Sequence, residues 1–225
     1  MRLLAFDTSG PTLSVVAAEA GEPVAWRDEA LDRGHAERLL PLLSTALAEA
    51  GWSWRDLDLV AVATGPGNFT GIRAGIAVAR ALVLALRCRA LGIGTLEIIA
   101  ESGAGQVREG QWIDALLDAR RDEVYVQRFA ADMRAVTPPA LVPMAEFAQR
   151  CPPGGILVGD VAARLARAGE TALPGSRDAL TMARLVGRRM AEGAEPVAPE
   201  GLRPVYVRPP DARPGAGASL ISGSA

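Results

Sequence analysis

Short apolar runs separated by glycine- and proline-marked turns open the chain. Residues 2–8 form one such run, ending in Asp7-Thr8-Ser9-Gly10-Pro11, where Gly and Pro punctuate a turn. Leu13–Ala18 resumes an apolar strand and Val24–Asp28 follows Gly21 and Pro23, so the pattern predicts a three-strand meander. The period then changes. Leu39, Leu42, Leu43, Ala46, Leu47 and Ala50 fall on one face of a helix over His35–Ala50, with Gly51 as its stop. Leu57–Thr64 reads as a strand, and after the glycine-rich turn Gly65–Gly71, Ile72–Leu86 reads as a second helix. The order is β-β-β-α-β-α.

The second half repeats it. Trp112–Asp118, Glu123–Ala130 and Met133–Val142 read as strands, followed by a short helix from Met144, a strand Gly155–Val158, and helical segments from Val161 and Asp178. A meander followed by an α-β-α crossover predicts a mixed sheet with helices on its faces. Two such units resemble the duplicated ribonuclease-H-like α/β fold of the actin, Hsp70 and sugar-kinase superfamily. The expected division is a first domain over 1–105, a second over 106–208, and a flexible tail over 209–225, where Pro, Gly and Ser leave little to bury.

Composition narrows the chemistry. The 225 residues are 49% apolar and 22% charged, with 24 basic against 26 acidic side chains and a net charge of −2. That balance argues against a protein that grips a phosphate backbone alone. All the basic residues are Arg, a skew that fits biased codon usage and carries no functional weight. Cys88 and Cys151 lie far apart without a CxxC spacing, and His35 is the only histidine, which argues against zinc, iron–sulfur or Cys–His chemistry. The cysteines read as core thiols of a reducing compartment. An apolar stretch of only four residues precedes Asp7, so neither a signal peptide nor a membrane span is expected, and the chain reads as cytoplasmic.

Three segments could carry function. Asp7-Thr8-Ser9 stands where a strand end can hold a metal–phosphate, or where Asp and Ser simply shape a turn. The matching turn of the second half, Leu117 to Glu123, contains no glycine to admit a second phosphate, which argues against ATP turnover. Gly65-Pro66-Gly67-Asn68-Phe69-Thr70-Gly71 joins a strand to a helix as a phosphate loop would. It lacks the Gly-Lys-Ser/Thr ending, and a turn in which Asn68 or Thr70 caps the helix is favoured. From Ala74 to Leu86 every residue except Arg80 is apolar or glycine, and Arg73, Arg80 and Arg87 recur every seven residues as one stripe. Gly71, Gly75 and Ala79 leave a smooth groove for another helix. The helix is either buried in its own domain or shared with a partner. His35, at a helix start beside Glu37, reads as structural more readily than as a base.

Taken together, Asp7-Thr8-Ser9, His35-Ala36-Glu37 with Leu40-Pro41, Gly65 through Arg73 with Gly75, Asp118-Ala119-Arg120-Arg121 with Glu123-Val124-Tyr125, and Pro204-Val205-Tyr206-Val207-Arg208 resemble the TsaB (YeaZ) family. The likeness runs over about residues 1–208, with Asn68 standing where the family usually has Ser. It implies an actin-like, two-domain, non-catalytic paralogue of the transferase subunit TsaD, acting in the synthesis of threonylcarbamoyladenosine in tRNA. It also implies pairing with TsaD through the two N-terminal helices, self-pairing through the same surface when TsaD is absent, and a TsaE ATPase in the assembly, with tRNA met through the complex. On this reading there are no catalytic residues, metal or cofactor, and Asp7, Thr8 and Ser9 are a vestigial phosphate loop. The expected partner contacts are Leu39, Leu43, Ile72, Gly75, Ile76, Ala79 and Leu82. The alternatives are an ATPase or kinase using Asp7 and Ser9, a glycoprotease-like peptidase, for which one histidine supplies no Ser-His-acid set, and a homodimeric binding module with another client.

Overall fold

A computed structural model describes residues 1–31 and 33–208; the expected flexible tail lies outside the described residues. The chain forms two five-stranded sheets of one topology. In the first, β1 (Arg2–Asp7), β2 (Thr12–Glu19) and β3 (Glu22–Ala30) make the antiparallel meander, with Leu3 opposite Ala18 and Phe6 opposite Val15. After α1 (His35–Glu49), β4 (Leu59–Gly65) returns parallel to β1. After α2 (Phe69–Leu86), β5 (Arg89–Gly94) adds parallel to β4, giving the order β3-β2-β1-β4-β5.

Burial explains why the central strands are almost continuously apolar. Successive residues of β1 point to opposite faces: Leu4 and Phe6 pack under α1 and α2 with Leu39, Leu43, Val60, Val62, Ile72 and Ile76, whereas Leu3 and Ala5 join Leu59, Ala61 and Ile93 on the other face. Both faces are covered, as parallel pairing requires. Helix α2 has the length and apolarity of a membrane-crossing segment, yet its inward side is buried against β4.

The second sheet contains β6 (Trp112–Asp118), β7 (Glu123–Ala130), β8 (Ala140–Pro143), β9 (Ile156–Gly159) and β10 (Thr171–Leu173) in the order β8-β7-β6-β9-β10, with β9 parallel to both β6 and β10. This matches the first sheet strand for strand, and the duplicated ribonuclease-H-like expectation holds. Between the sheets in sequence lies α3 (Thr95–Gly103); α4 (Phe147–Arg150) and α5 (Ala162–Leu165) are single turns, and α6 (Ala179–Ala191) is the last helix.

Several expectations need correction. Residues 87–111, to which the hydrophobic pattern assigned no element, supply β5 and α3, because glycines at 92 and 94 obscure a buried strand. The strand expected over Met133–Val142 shrinks to β8: Met133 is left-handed at φ 64°, and Pro138 and Pro139 withhold ladder donors. Helix α2 starts at Phe69 rather than Ile72, because Asn68 caps it by accepting the Gly71 amide at 3.0 Å. Finally, α6 lies on the first sheet: Ala179, Met182, Ala183, Leu185 and Val186 pack with Leu3, Ala5 and Val16. Ion pairs from Arg188 to Glu101 (2.7 Å) and Arg189 to Glu97 (2.9 Å) fix it to α3.

The last described residues form a strap. Val197 bridges to Ala90, Leu202 is buried in the first core, and the Val205 amide donates to the Thr64 carbonyl at 2.8 Å. Two of the three arginines spaced by sevens hold this strap. Arg80 donates to the Leu202 carbonyl at 2.5 Å, and Arg73 donates to the Tyr206 hydroxyl at 2.7 Å while lying 3.8 Å over the Phe69 ring. Arg87 instead ends α2 in a left-handed conformation. Arg208 closes the strap on the second sheet, donating to the Ala119 carbonyl and pairing with Glu123, each at 2.7 Å. Cys151 is buried and Cys88 half-buried; burial pushes both thiols above their ordinary range, as inert packing residues.

Candidate functional site

The carboxyl-terminal ends of β1 and β6 meet across a cleft of about 550 Å³, lined from the first lobe by Ser9, Gly10, His35 and Asn68 and from the second by Asp118, Arg120, Tyr125 and Asp160, with Arg177 between. The Asp7-Thr8-Ser9 turn lies at this cleft, and its side chains all have intramolecular partners. Asp7 is buried and accepts the Ser9 amide at 2.6 Å, the Thr8 hydroxyl donates to the Gly71 carbonyl at 2.7 Å, and the hydroxyls of Ser9 and Thr95 are 3.2 Å apart. This is the turn-shaping geometry.

The opposing turn adopts a glycine-like backbone without glycine. Arg120, Arg121 and Asp122 all take positive φ, between 56° and 62°, so their side chains stand where a phosphate-binding glycine would leave open backbone. Asp118 accepts the Arg120 amide at 2.8 Å and pairs with its guanidinium at 3.6 Å, and Asp160 accepts the Asp118 amide at 2.9 Å. His35 lines the cleft, and its Nε2 is buried without a hydrogen-bond partner among the described residues.

The Gly65–Gly71 turn is a helix start. Gly65–Pro66 is cis, the Asn68 amide donates to the Ser9 carbonyl at 2.8 Å, and a Cβ at Gly67 would meet that same carbonyl at 2.5 Å. The turn is packed against the end of β1. The groove of Gly71, Gly75 and Ala79 is filled from within the chain: a side chain at Gly71 would overlap the Thr8 carbonyl, and one at Gly75 would overlap the Thr8 hydroxyl and lie 3.4 Å from Val62.

The expected partner contacts need correction on the same ground. Leu39, Leu43, Ile72, Gly75, Ile76 and Ala79 are buried, all but Gly75 within the first core cluster, and Leu82 is half-buried against it. Helical spacing identifies an apolar face but not which face points inward. The outward surface of α2 carries Thr70, Ala77, Ala81, Leu84 and Ala85, with Leu84 64% exposed, and α1 beside it presents Leu40 and Pro41. An apolar outer face on a helix whose inner face is already packed is the second face that the sequence indicated. Arg177 and Asp160, which line the cleft, carried no sequence signal because each stands alone in a turn.

Comparison with known proteins places this architecture. The family described as TsaD, tRNA N6-adenosine threonylcarbamoyltransferase, matches residues 29–188. The chain is 32% identical to the tRNA threonylcarbamoyladenosine biosynthesis protein TsaB of Escherichia coli, over 92% of this chain and 95% of that protein. It is 31% identical to TsaB of Bacillus subtilis over 56% of this chain and 53% of that protein. Among solved structures, YeaZ from Pseudomonas aeruginosa superposes with a TM-score of 0.78 at 31% identity, covering 91% of this chain and 99% of that one.

Proposed function

This chain belongs to the TsaB (YeaZ) family, and we propose that it acts in the biosynthesis of threonylcarbamoyladenosine in tRNA as a non-catalytic subunit that pairs with a TsaD-type transferase. The observation that carries the reading is the near full-length likeness to a relative named for that process. Two features of the chain support the non-catalytic part. The turn after β6 places Arg120, Arg121 and Asp122 where close backbone approach to phosphates would need glycine. A single histidine gives no pair for a metal.

The physical role is then one of association. The outer faces of α1 and α2 offer an apolar surface with Leu40, Ala77, Ala81 and Leu84 at its centre, backed by a packed core that fixes both helices. A rigid, preorganised surface loses little entropy on docking, so apolar burial goes into affinity. Docking the transferase there orders it for transfer of the threonylcarbamoyl group to adenosine. A TsaE-type ATPase joins the assembly, tRNA is met through the complex, and a second copy of this chain takes the same face when the transferase is absent. The chain itself uses no nucleotide or metal.

The test is tRNA threonylcarbamoylation by a purified TsaD-type partner, supplied with threonylcarbamoyl-adenylate and a TsaE-type ATPase with ATP, with and without this chain. Modification that requires this chain, together with none by this chain alone, supports the reading. Equal modification without it, or nucleotide hydrolysis by this chain alone, overturns it.

A further inference from the structure

Two arginines line the interlobe cleft, and their situations differ. Arg120 is paired with Asp118. Arg177 makes no hydrogen bond, ion pair or ring contact among the described residues, although it is half-buried and lines both the cleft and a neighbouring cavity of about 360 Å³. Asp7, Asp28 and Asp178 line that neighbouring cavity with it, yet none forms an ion pair with its guanidinium among the described residues, so its partly desolvated N–H donors are left without a direct acceptor.

Its position is nonetheless fixed. The preceding Ser176 amide donates to the Ser102 hydroxyl at 2.9 Å. The following residue, Asp178, caps α6 by accepting the Thr181 amide at 2.6 Å and the Ser176 hydroxyl at 2.8 Å. The guanidinium then lies over Gly10, where an added Cβ would come within 2.5 Å of Nη2 and 2.9 Å of Cζ. Gly10 is not one of the positive-φ glycines. What the glycine supplies is therefore room for the guanidinium rather than a special backbone shape.

We propose that Arg177, seated over Gly10, is an oxyanion-binding site of the cleft that takes the phosphate or carboxylate group of a small ligand. A guanidinium fork matches either group through two parallel N–H donors. Asn68 adds a donor: its Oδ1 is occupied by the Gly71 amide, which leaves its amide NH₂ for the cleft. The opposite wall limits the ligand. Asp118 and Asp160 there, and Asp7, Asp28 and Asp178 around the neighbouring cavity, repel further negative charge, so a single oxyanion group held directly by Arg177 fits and a polyphosphate does not. This inference is separate from the pairing role, since it concerns the isolated chain and a different surface.

The single histidine of the chain, His35, lines the same cleft, so one imidazole resonance reports on it. Sodium phosphate and sodium acetate are titrated separately into the full chain, with sodium chloride as the ionic-strength control, while the His35 proton signals are followed by NMR. Saturable shifts with phosphate, acetate or both are expected, weakened on the order of tenfold in Arg177→Gln through loss of the charge-assisted pair. Gly10→Ala should weaken them likewise by displacing the guanidinium, with Arg73→Gln behaving as wild type. Saturation by one anion alone identifies the group as phosphate or carboxylate. Shifts no different from chloride, or the same curve in Arg177→Gln and Gly10→Ala, overturn the site.

Discussion

The hydroxyl of Thr8, just past the end of β1, donates a 2.7 Å hydrogen bond to the carbonyl of Gly71 in the first turn of α2, joining residues 63 apart in sequence. The contact is backbone-close, because a Cβ at Gly71 would overlap the Thr8 carbonyl. Gly71→Ala should therefore cost on the order of 2–4 kcal/mol, since neither backbone can yield without disturbing a core element. Gly105→Ala, where an added Cβ meets nothing within 4 Å, should change stability little. Urea denaturation midpoints check both.

Asp114 and Arg128 form a two-pronged pair across β6 and β7, with contacts of 2.7 and 2.8 Å and Arg128 lying 4.4 Å over the Trp112 ring. The Asp114 side chain is 3% exposed, and its hydrogen bonds hold the Arg128 guanidinium above its ordinary range. Arg128→Met strands a buried carboxylate and should lower stability by about 3–5 kcal/mol. Adding Asp114→Leu should recover much of that loss, a sign of coupling that thermal unfolding of the double-mutant cycle would read.

Asp178 gives an acid-side signature. Burial raises its carboxyl, but the Thr181 and Ser176 hydrogen bonds outweigh burial and leave it below its ordinary 3.8. A depressed native value contributes stability that is present above the unfolded-state pKa of about 3.9 and is lost as pH falls through the native one. Asp178→Ala should cost about 1 kcal/mol at neutral pH as a lost helix cap. The gap to wild type should narrow as the pH drops below 4, and stability curves against pH would show a gap that stays constant if the cap is not ionic.

The two faces of α2 should respond oppositely to substitution. Ala81→Arg, on the outer face, should leave the unfolding midpoint within about 0.5 kcal/mol of wild type and abolish capture of a TsaD-type partner. Ile76→Ala, in the core, should lose about 2–4 kcal/mol of stability. Gly75→Trp would strike Thr8 and Val62 and unfold the lobe, so it cannot report on pairing. Retained capture by Ala81→Arg in a co-purification assay would remove the outer face as the docking surface.

How much the sequence disclosed follows from which interactions are local. Short apolar runs bounded by turns exposed β1, β2, β4, β6 and β7, and a 3.6-residue period exposed α1, because burial acts directly on neighbouring residues. Segment 87–111 was opaque because β5 carries glycines at 92 and 94 that interrupt its apolar run, and the side chain packed against Gly92, Thr64, comes from another strand. The motif residues Asp7, Asn68 and Asp118 were legible as turn chemistry. Arg177 was not, because its meaning comes from Gly10, distant in the chain. The residues expected to meet a partner lie on the inward side of α1 and α2, since a helix apolar on both faces carries no sequence mark of which one meets the sheet.

The return of α6 to the first sheet orders events during synthesis. Leu3, Ala5, Val16, Leu59 and Ala61 are finished strand residues long before Met182 and Leu185 exist. Until α6 emerges, the nascent first lobe displays a bare apolar face, and the whole second sheet must be made before that face is sealed. A ribosome stalled anywhere between α3 and α6 would thus hold a half-closed lobe of the kind that chaperones retain.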